Sequence, residues 1–141
     1  MRPRRALRLE LYSVLDAELS TDVVVQKQTG DAAEELVMIE APDTPVRGDI
    51  KGDTGHEIAQ TIRVHTRYAK GSANVGRREE IASNVIDALD GATIDPQDHR
   101  VVHWPSEPDD SSPLQYDAGG GEQALDLVLT YEIFTQIKAT I

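Results

Sequence analysis

No cysteine occurs in this chain, there is one phenylalanine and one tryptophan, and lysine appears only four times in 141 residues. Without cysteine the fold cannot be stapled by disulfides, and thiolate metal sites and cysteine nucleophiles are excluded; a reducing compartment is compatible with this composition. Long apolar runs are also missing. Nothing approaches the roughly 18 apolar residues that cross a bilayer, and Arg8 and Glu10 break up Leu7, Leu9 and Leu11, so the arginine-rich opening does not read as a signal peptide. The expectation is a soluble chain with no membrane partner. Positive charge is scarce as well: 14 basic residues face 25 acidic ones, a net charge of -11. Arg2, Arg4, Arg5 and Arg8 concentrate it, leaving 10 basic against 25 acidic residues, or -15, over the rest. Such a body repels phosphate, which argues against DNA recognition. Aspartate outnumbers lysine 14 to 4, which suits a saline habitat and equally an ordinary solvated acidic surface.

What is present describes a globular protein. Hydrophobic residues make up 39% and charged residues 28%, spread along a length that fits a single domain over 1–141. Between Arg4 and Leu19, Leu7, Leu11, Val14, Leu15 and Ala17 or Leu19 recur at helical spacing, with Pro3 tolerable near the start. Val23 to Val25 and Leu36 to Glu40 read as short strands separated by a polar turn around Gly30 and Asp31. Ala41 to Gly55 reads as a long exposed loop. From Glu57 to Arg67, Ile58, Ile62 and Val64 alternate with Glu57, Thr61, Arg63, His65 and Arg67, a half-buried strand in which Gln60 is the misfit on the apolar face. Asn74 is placed to cap a helix with an Ile81, Ala82, Val85, Ile86 and Leu89 stripe, ended by Asp90 and a left-handed Gly91. His99 to Pro105 is a further β-rich run, and Glu107 to Gly121 reads as a mobile loop with a glycine hinge. The last strand, Gln123 to Ile137, puts Leu125, Leu127, Leu129, Tyr131 and Ile133 on one face and Val128 and Phe134 on the other. The predicted fold is α+β: a mostly antiparallel sheet of four or five strands, two helices packed on one face, and long loops at 41–55 and 107–121 that form oligomer contacts.

Chemistry-bearing patterns are weak. Histidines stand at 56, 65, 99 and 103. His99 and His103 share a strand face, but four residues span about 13 Å, too far for one metal. The adjacent acids Glu79 and Glu80, and Asp109 and Asp110, face different ways, and no serine sits in a G-x-S-x-G elbow. Gly119 to Gly121 is followed by Glu122 rather than by lysine and a helix, so it is no phosphate cradle. The residues therefore predict no catalytic set, no metal and no cofactor. Val128 and Phe134, apolar on the face away from the helices, suggest a subunit interface. Trp104 and Tyr116 suit either an interface anchor or packing within the monomer. Arg4 and Arg5 suit either a solvated helix start or contact with an acidic neighbouring subunit.

Several segments together resemble the tail terminator, or tail completion, family of siphophages: Ala6-Leu-Arg-Leu-Glu-Leu-Tyr-Ser-Val-Leu, the Leu36-Val-Met-Ile-Glu strand with its polar loop, and Ile62-Arg-Val-His-Thr-Arg. Gly76-Arg-Arg-Glu-Glu-Ile-Ala-Ser-Asn-Val-Ile-Asp-Ala-Leu and Leu125-Asp-Leu-Val-Leu-Thr-Tyr-Glu complete the likeness, which spans nearly the whole chain. The resemblance implies a virion structural protein, not an enzyme, assembled in the host cytoplasm as a homohexameric ring. By that resemblance the ring caps the tail tube protein at its head-proximal end and meets a head-connector or stopper protein, and DNA passes through its lumen without specific binding. An acidic wall suits such a channel. Glu107 to Gly121 departs from the plainer family pattern. A head-completion or stopper protein is the near alternative; a small binding module or an enzyme is the remote one.

Overall fold

A computed structural model describes residues 3–25, 35–40, 55–69, 71 and 74–137. Their order is α1 (Pro3–Glu18), β1 (Asp22–Val25), β2 (Glu35–Ile39), β3 (Gly55–Ala69), α2 (Val75–Asp90), β4 (His99–His103), β5 (Asp110–Gly119) and β6 (Glu122–Ile137). The strands join in the order β1-β2-β3-β6-β4, with β5 also paired to β6. All pairs are antiparallel except β1 with β2, which is parallel, so a simple turn between these two strands is ruled out. The α+β class with a mostly antiparallel sheet stands; six strands replace the expected four or five.

The register follows the alternation of the sequence. Ile58, Gln60, Ile62 and Val64 of β3 lie opposite Ile133, Tyr131, Leu129 and Leu127 of β6, and Val37 and Ile39 of β2 continue this face. Leu7, Leu11 and Leu15 of α1 and Ile81, Ala82, Val85 and Leu89 of α2 close over it, forming one apolar cluster. Burial of a Leu or Ile side chain stabilises by about 1.5–3 kcal/mol, so this single-sided layer is the main source of stability. Gln60 is fully buried there. Its Nε2 donates to the Glu40 carbonyl at 2.7 Å and the Thr61 carbonyl at 2.9 Å, which fixes the chain as it leaves β2.

Local signals set the helix ends. The Asn74 side chain accepts from the Arg77 N–H at 3.1 Å, capping α2 as its sequence predicts. Gly91 ends the helix in a right-handed conformation, φ -83°, not the left-handed one expected; its N–H reaches back to the Asp87 carbonyl at 3.1 Å and the Ala92 N–H to the Leu89 carbonyl at 3.4 Å. Arg77 then binds both carboxylate oxygens of Glu35, at 2.6 and 3.1 Å, joining the start of α2 to the start of β2.

The largest correction concerns residues 107–121. Asp110–Gly119 is a strand paired with β6 over most of its length, and Gly119, Gly120 and Gly121 form its turn, with φ of +85°, +60° and +78°. Three successive positive φ values need glycine, so the triplet makes a tight turn and not a hinge. The segment is polar because β5 is exposed on nearly all of its surface, which hides the usual apolar alternation. The other expected loop falls at 41–54, outside the described residues, while Gly55 opens β3.

Candidate functional site

The face of the sheet away from the helices carries a polar cluster that joins four segments. Asp126 of β6 lies opposite His65 of β3 and Leu114 of β5. Its carboxylate is 0% exposed and accepts Arg63 Nη1 at 3.0 Å, meets His65 Nδ1 at 2.8 Å and accepts the Tyr116 hydroxyl at 2.8 Å. Arg63 also pairs through Nε with Glu40, just past β2. From the helix side, Arg78 reaches the Asp126 main-chain carbonyl at 3.4 Å. Burial raises the Asp126 pKa, but hydrogen bonds from His65, Tyr116 and Arg63 and the charge of His65 outweigh it, leaving the carboxyl below its ordinary range. Burial lowers the Arg63 pKa, but its hydrogen bonds to Glu40 and Asp126 and their charges outweigh it and leave it raised overall. Burial and then the Asp126 contact push the Tyr116 hydroxyl up to about 12, so it remains a donor at neutral pH.

Chemically this arrangement holds a charge and ties strands together. A buried carboxylate held ionised by three donors makes a poor proton acceptor, and among the described residues no serine, threonine or lysine side chain hydrogen-bonds to it. Among the described residues no three histidine, aspartate or glutamate side chains converge as a metal site requires. His99 and His103 do not share a face after all: the register shift after Val101 sets His99 opposite Ile137 and His103 opposite Phe134, and these two β6 residues face opposite ways. His56 has no described side chain.

The expected interface residues do not form one patch. Val128 and Phe134 share the outer face, as their alternation predicts, but both are half-buried. The Phe134 ring covers Gly55, where an added Cβ would stand 2.6 Å from Cζ. Trp104 stacks on buried Tyr131, with ring centroids 5.2 Å apart and planes at 20°, so its ring packs within the monomer. Tyr131 is pushed up by burial and by the nearby Asp90 and Glu107 carboxylates. Tyr116 remains 42% exposed although its hydroxyl is held, and Leu114, beside it on the same face, is 40% exposed. Arg4 is half-buried and Arg5 exposed at the start of α1. Sequence reasoning missed the Asp126 cluster. Its one visible signal is an aspartate inside Leu125-Asp-Leu-Val-Leu, where a central strand has no use for an unpaired charge.

No family model matches the sequence, and no curated protein matches it. Among solved structures, the chain is similar to one from "Virion of native gene transfer agent (GTA) particle". The two are 22% identical, with a TM-score of 0.67, covering 92% of this chain and 96% of that one. The likeness therefore runs end to end in fold. A second solved chain, 20% identical, superposes with a TM-score of only 0.48 over 97% of this chain and 95% of its own.

Proposed function

We propose that this protein is a structural subunit of a phage-type virion, and within it a tail terminator: a ring that ends tail-tube growth and joins the tail to the head connector. The observation that carries the reading is the end-to-end likeness of fold to a chain of a gene transfer agent virion, a phage-like particle. It agrees with the segment resemblance to tail terminators, which comes from a different source. The finer assignment, to the head-proximal tube end and to a hexamer, rests on that resemblance alone.

The physical mechanism is capping by shape. One ring face is complementary to the last tube ring, the opposite face lacks the surface that recruits another, and growth stops without a covalent step. A net charge of -11 per copy favours a lumen that lets DNA through by repelling phosphate. The Asp126 cluster serves this role mechanically, since it fixes the exposed β5 strand on a rigid sheet. Incubating the purified chain with tail tube protein and imaging the tube ends tests the reading. Rings seated on one end, with elongation halted, are expected. Binding to the head connector but never to tube ends would assign the stopper role instead, and no binding to either would refute a junction role. A ring with a predominantly basic channel wall would refute the acidic lumen.

A further inference from the structure

The register of the sheet decides which main-chain groups of β5 point away from it. The Glu40 N–H donates to the Thr61 carbonyl at 3.1 Å, which extends the β2–β3 pairing by one residue. In an antiparallel ladder, residues that bond to one neighbouring strand alternate with residues that face the other. Thr61, Arg63 and His65 of β3 therefore bond to β2, and Ile62, Val64 and Thr66 bond to β6. That uses Leu125, Leu127 and Leu129 on the β3 side, so Ala124, Asp126, Val128 and Thr130 serve β5. The Thr130 carbonyl accepts the Asp109 N–H at 2.8 Å, in agreement. Opposite these four stand Tyr116, Leu114, Ser112 and Asp110, which bond inward, and Ser111, Pro113 and Gln115 turn their main-chain groups outward. Pro113 fits this phase, because its missing N–H falls on the outer edge, where a strand tolerates proline.

Ser111, Pro113 and Gln115 are all exposed, so their three carbonyls and two N–H groups line an open edge. Two apolar side chains stand beside it. Leu114 and Tyr116, 40% and 42% exposed, share the face away from the helices. The Tyr116 ring is held in place by its hydroxyl, which donates to Asp126 at 2.8 Å, so an exposed aromatic is already oriented. The start of the strand is negative. From Pro105 to Ile137 no lysine or arginine occurs. Asp126 and Glu122 pair with Arg63 and Arg67, but Glu107, Asp109 and Asp110 lie exposed where the chain enters β5. Asp110 is on the same face as Leu114 and Tyr116.

We propose that the outer edge of β5 receives an extended segment of a different protein, which adds as an antiparallel strand with apolar residues against Tyr116 and Leu114 and a basic residue against Asp110. Main-chain bonds supply the pairing and side chains fix the register. The apolar residue against Leu114 and the basic one against Asp110 are four positions apart on one face, about 13 Å. Charge complementarity makes the partner a different protein, since no strand edge among the described residues offers that pattern. The β1 strand reads Asp-Val-Val-Val, and a second β5 would bring two acidic edges together. Arg100 of β4 is held by Gln136 at 2.6 and 3.2 Å, and Arg4, Arg5 and Arg8 lie on a helix. The contact adds a partner to the ring reading and does not depend on it, because the edge is complete in one subunit.

Amide exchange and chemical shifts of the isotope-labelled full chain, titrated with a capped peptide Thr-Val-Thr-Val-Thr-Arg-Thr-Arg, test the contact. In antiparallel register its valines face Tyr116 and Leu114 and its last arginine faces Asp110. The expected result is binding at millimolar peptide or below, with exchange slowed at the Ser111 and Gln115 N–H groups. A peptide with glutamate in place of arginine should bind about tenfold more weakly. D110K should reverse that preference, and Gln115→Pro, which deletes an outward donor that β6 does not use, should weaken binding about tenfold. Circular dichroism checks that each variant folds; the D110K reversal decides alone if the proline variant does not. Equal binding of the two peptides, or binding that leaves the Ser111 and Gln115 amides unchanged, overturns the proposal. So does slow exchange at these amides in the protein alone that is lost on dilution, which would give the edge to a second copy. A monomeric chain whose edge amides are slowed by the arginine peptide sustains the contact while sinking the ring.

Discussion

Replacing Asp126 by asparagine removes one charge from the most highly connected side chain in the sheet. Its carboxylate is fully buried and serves Arg63, His65 and Tyr116 at 2.8–3.0 Å. Hydrogen bonds to charged groups contribute about 1.5–3 kcal/mol each. With its oxygen in the Oδ2 place asparagine still accepts from Arg63 and Tyr116, but its amide turns a donor toward His65 Nδ1 and the charge that strengthens the other two bonds is gone. One bond is lost and two are weakened, and the loss is partly offset because Arg63 keeps Glu40 and Tyr116 is exposed enough to meet water. The expected destabilisation is about 2–4 kcal/mol. At a few degrees per kcal/mol in a domain of this size, the melting temperature falls by about 6–15 °C. The pH dependence carries the sharper test. Because the folded-state pKa of Asp126 lies below its ordinary 3.8, its contribution is fully present above that value and is lost as pH falls through the lower folded value. Melting followed by circular dichroism between pH 7 and pH 2 should therefore show the gap between parent and D126N narrowing only below about pH 4. A loss under 0.5 kcal/mol, or a gap that stays undiminished at pH 2, refutes the account of the cluster.

Three further changes probe separate parts of the fold. Tyr116→Phe removes a single donor from Asp126; about 1 kcal/mol of destabilisation is expected, with faster amide exchange confined to β5 and its β6 partners as the readout. Gly55→Ala places a Cβ 2.6 Å from the Phe134 ring and should cost about 1–3 kcal/mol, most of it recovered when Phe134 is shortened to leucine in a double-mutant cycle. Asn74→Ala removes the α2 cap, and chemical denaturation should report a loss of about 1 kcal/mol.

Segments in which one face is apolar were legible from the sequence, because period decides their burial. Leu7, Leu11 and Leu15, the Ile81 to Leu89 stripe and the Ile58 to Val64 and Leu125 to Ile133 alternations all face the core as their spacing predicts. The β5 strand was hidden because Asp-Ser-Ser-Pro-Leu-Gln-Tyr-Asp has two solvated faces, so the period that marks a strand is absent and only its pairing with β6 holds it. Gly119 to Gly121 was visible as a break, but a tight turn and a hinge look alike until the flanking strands are seen to pair. The Asp126 cluster depends on register across β3, β6 and β5, which brings residues 61 and 10 positions apart into contact. No local spacing encodes that. Trp104 illustrates the remaining ambiguity: its composition suits an interface, and only the stack on Tyr131 shows where its ring lies.

The ring is the central claim, and the mass of the particle in solution tests it most directly. Native mass measurement of the purified chain, alone and with tail tube protein, is expected to give a closed oligomer, six times the 15.5 kDa chain if the tail-terminator resemblance carries its stoichiometry. A strict monomer under both conditions would contradict it.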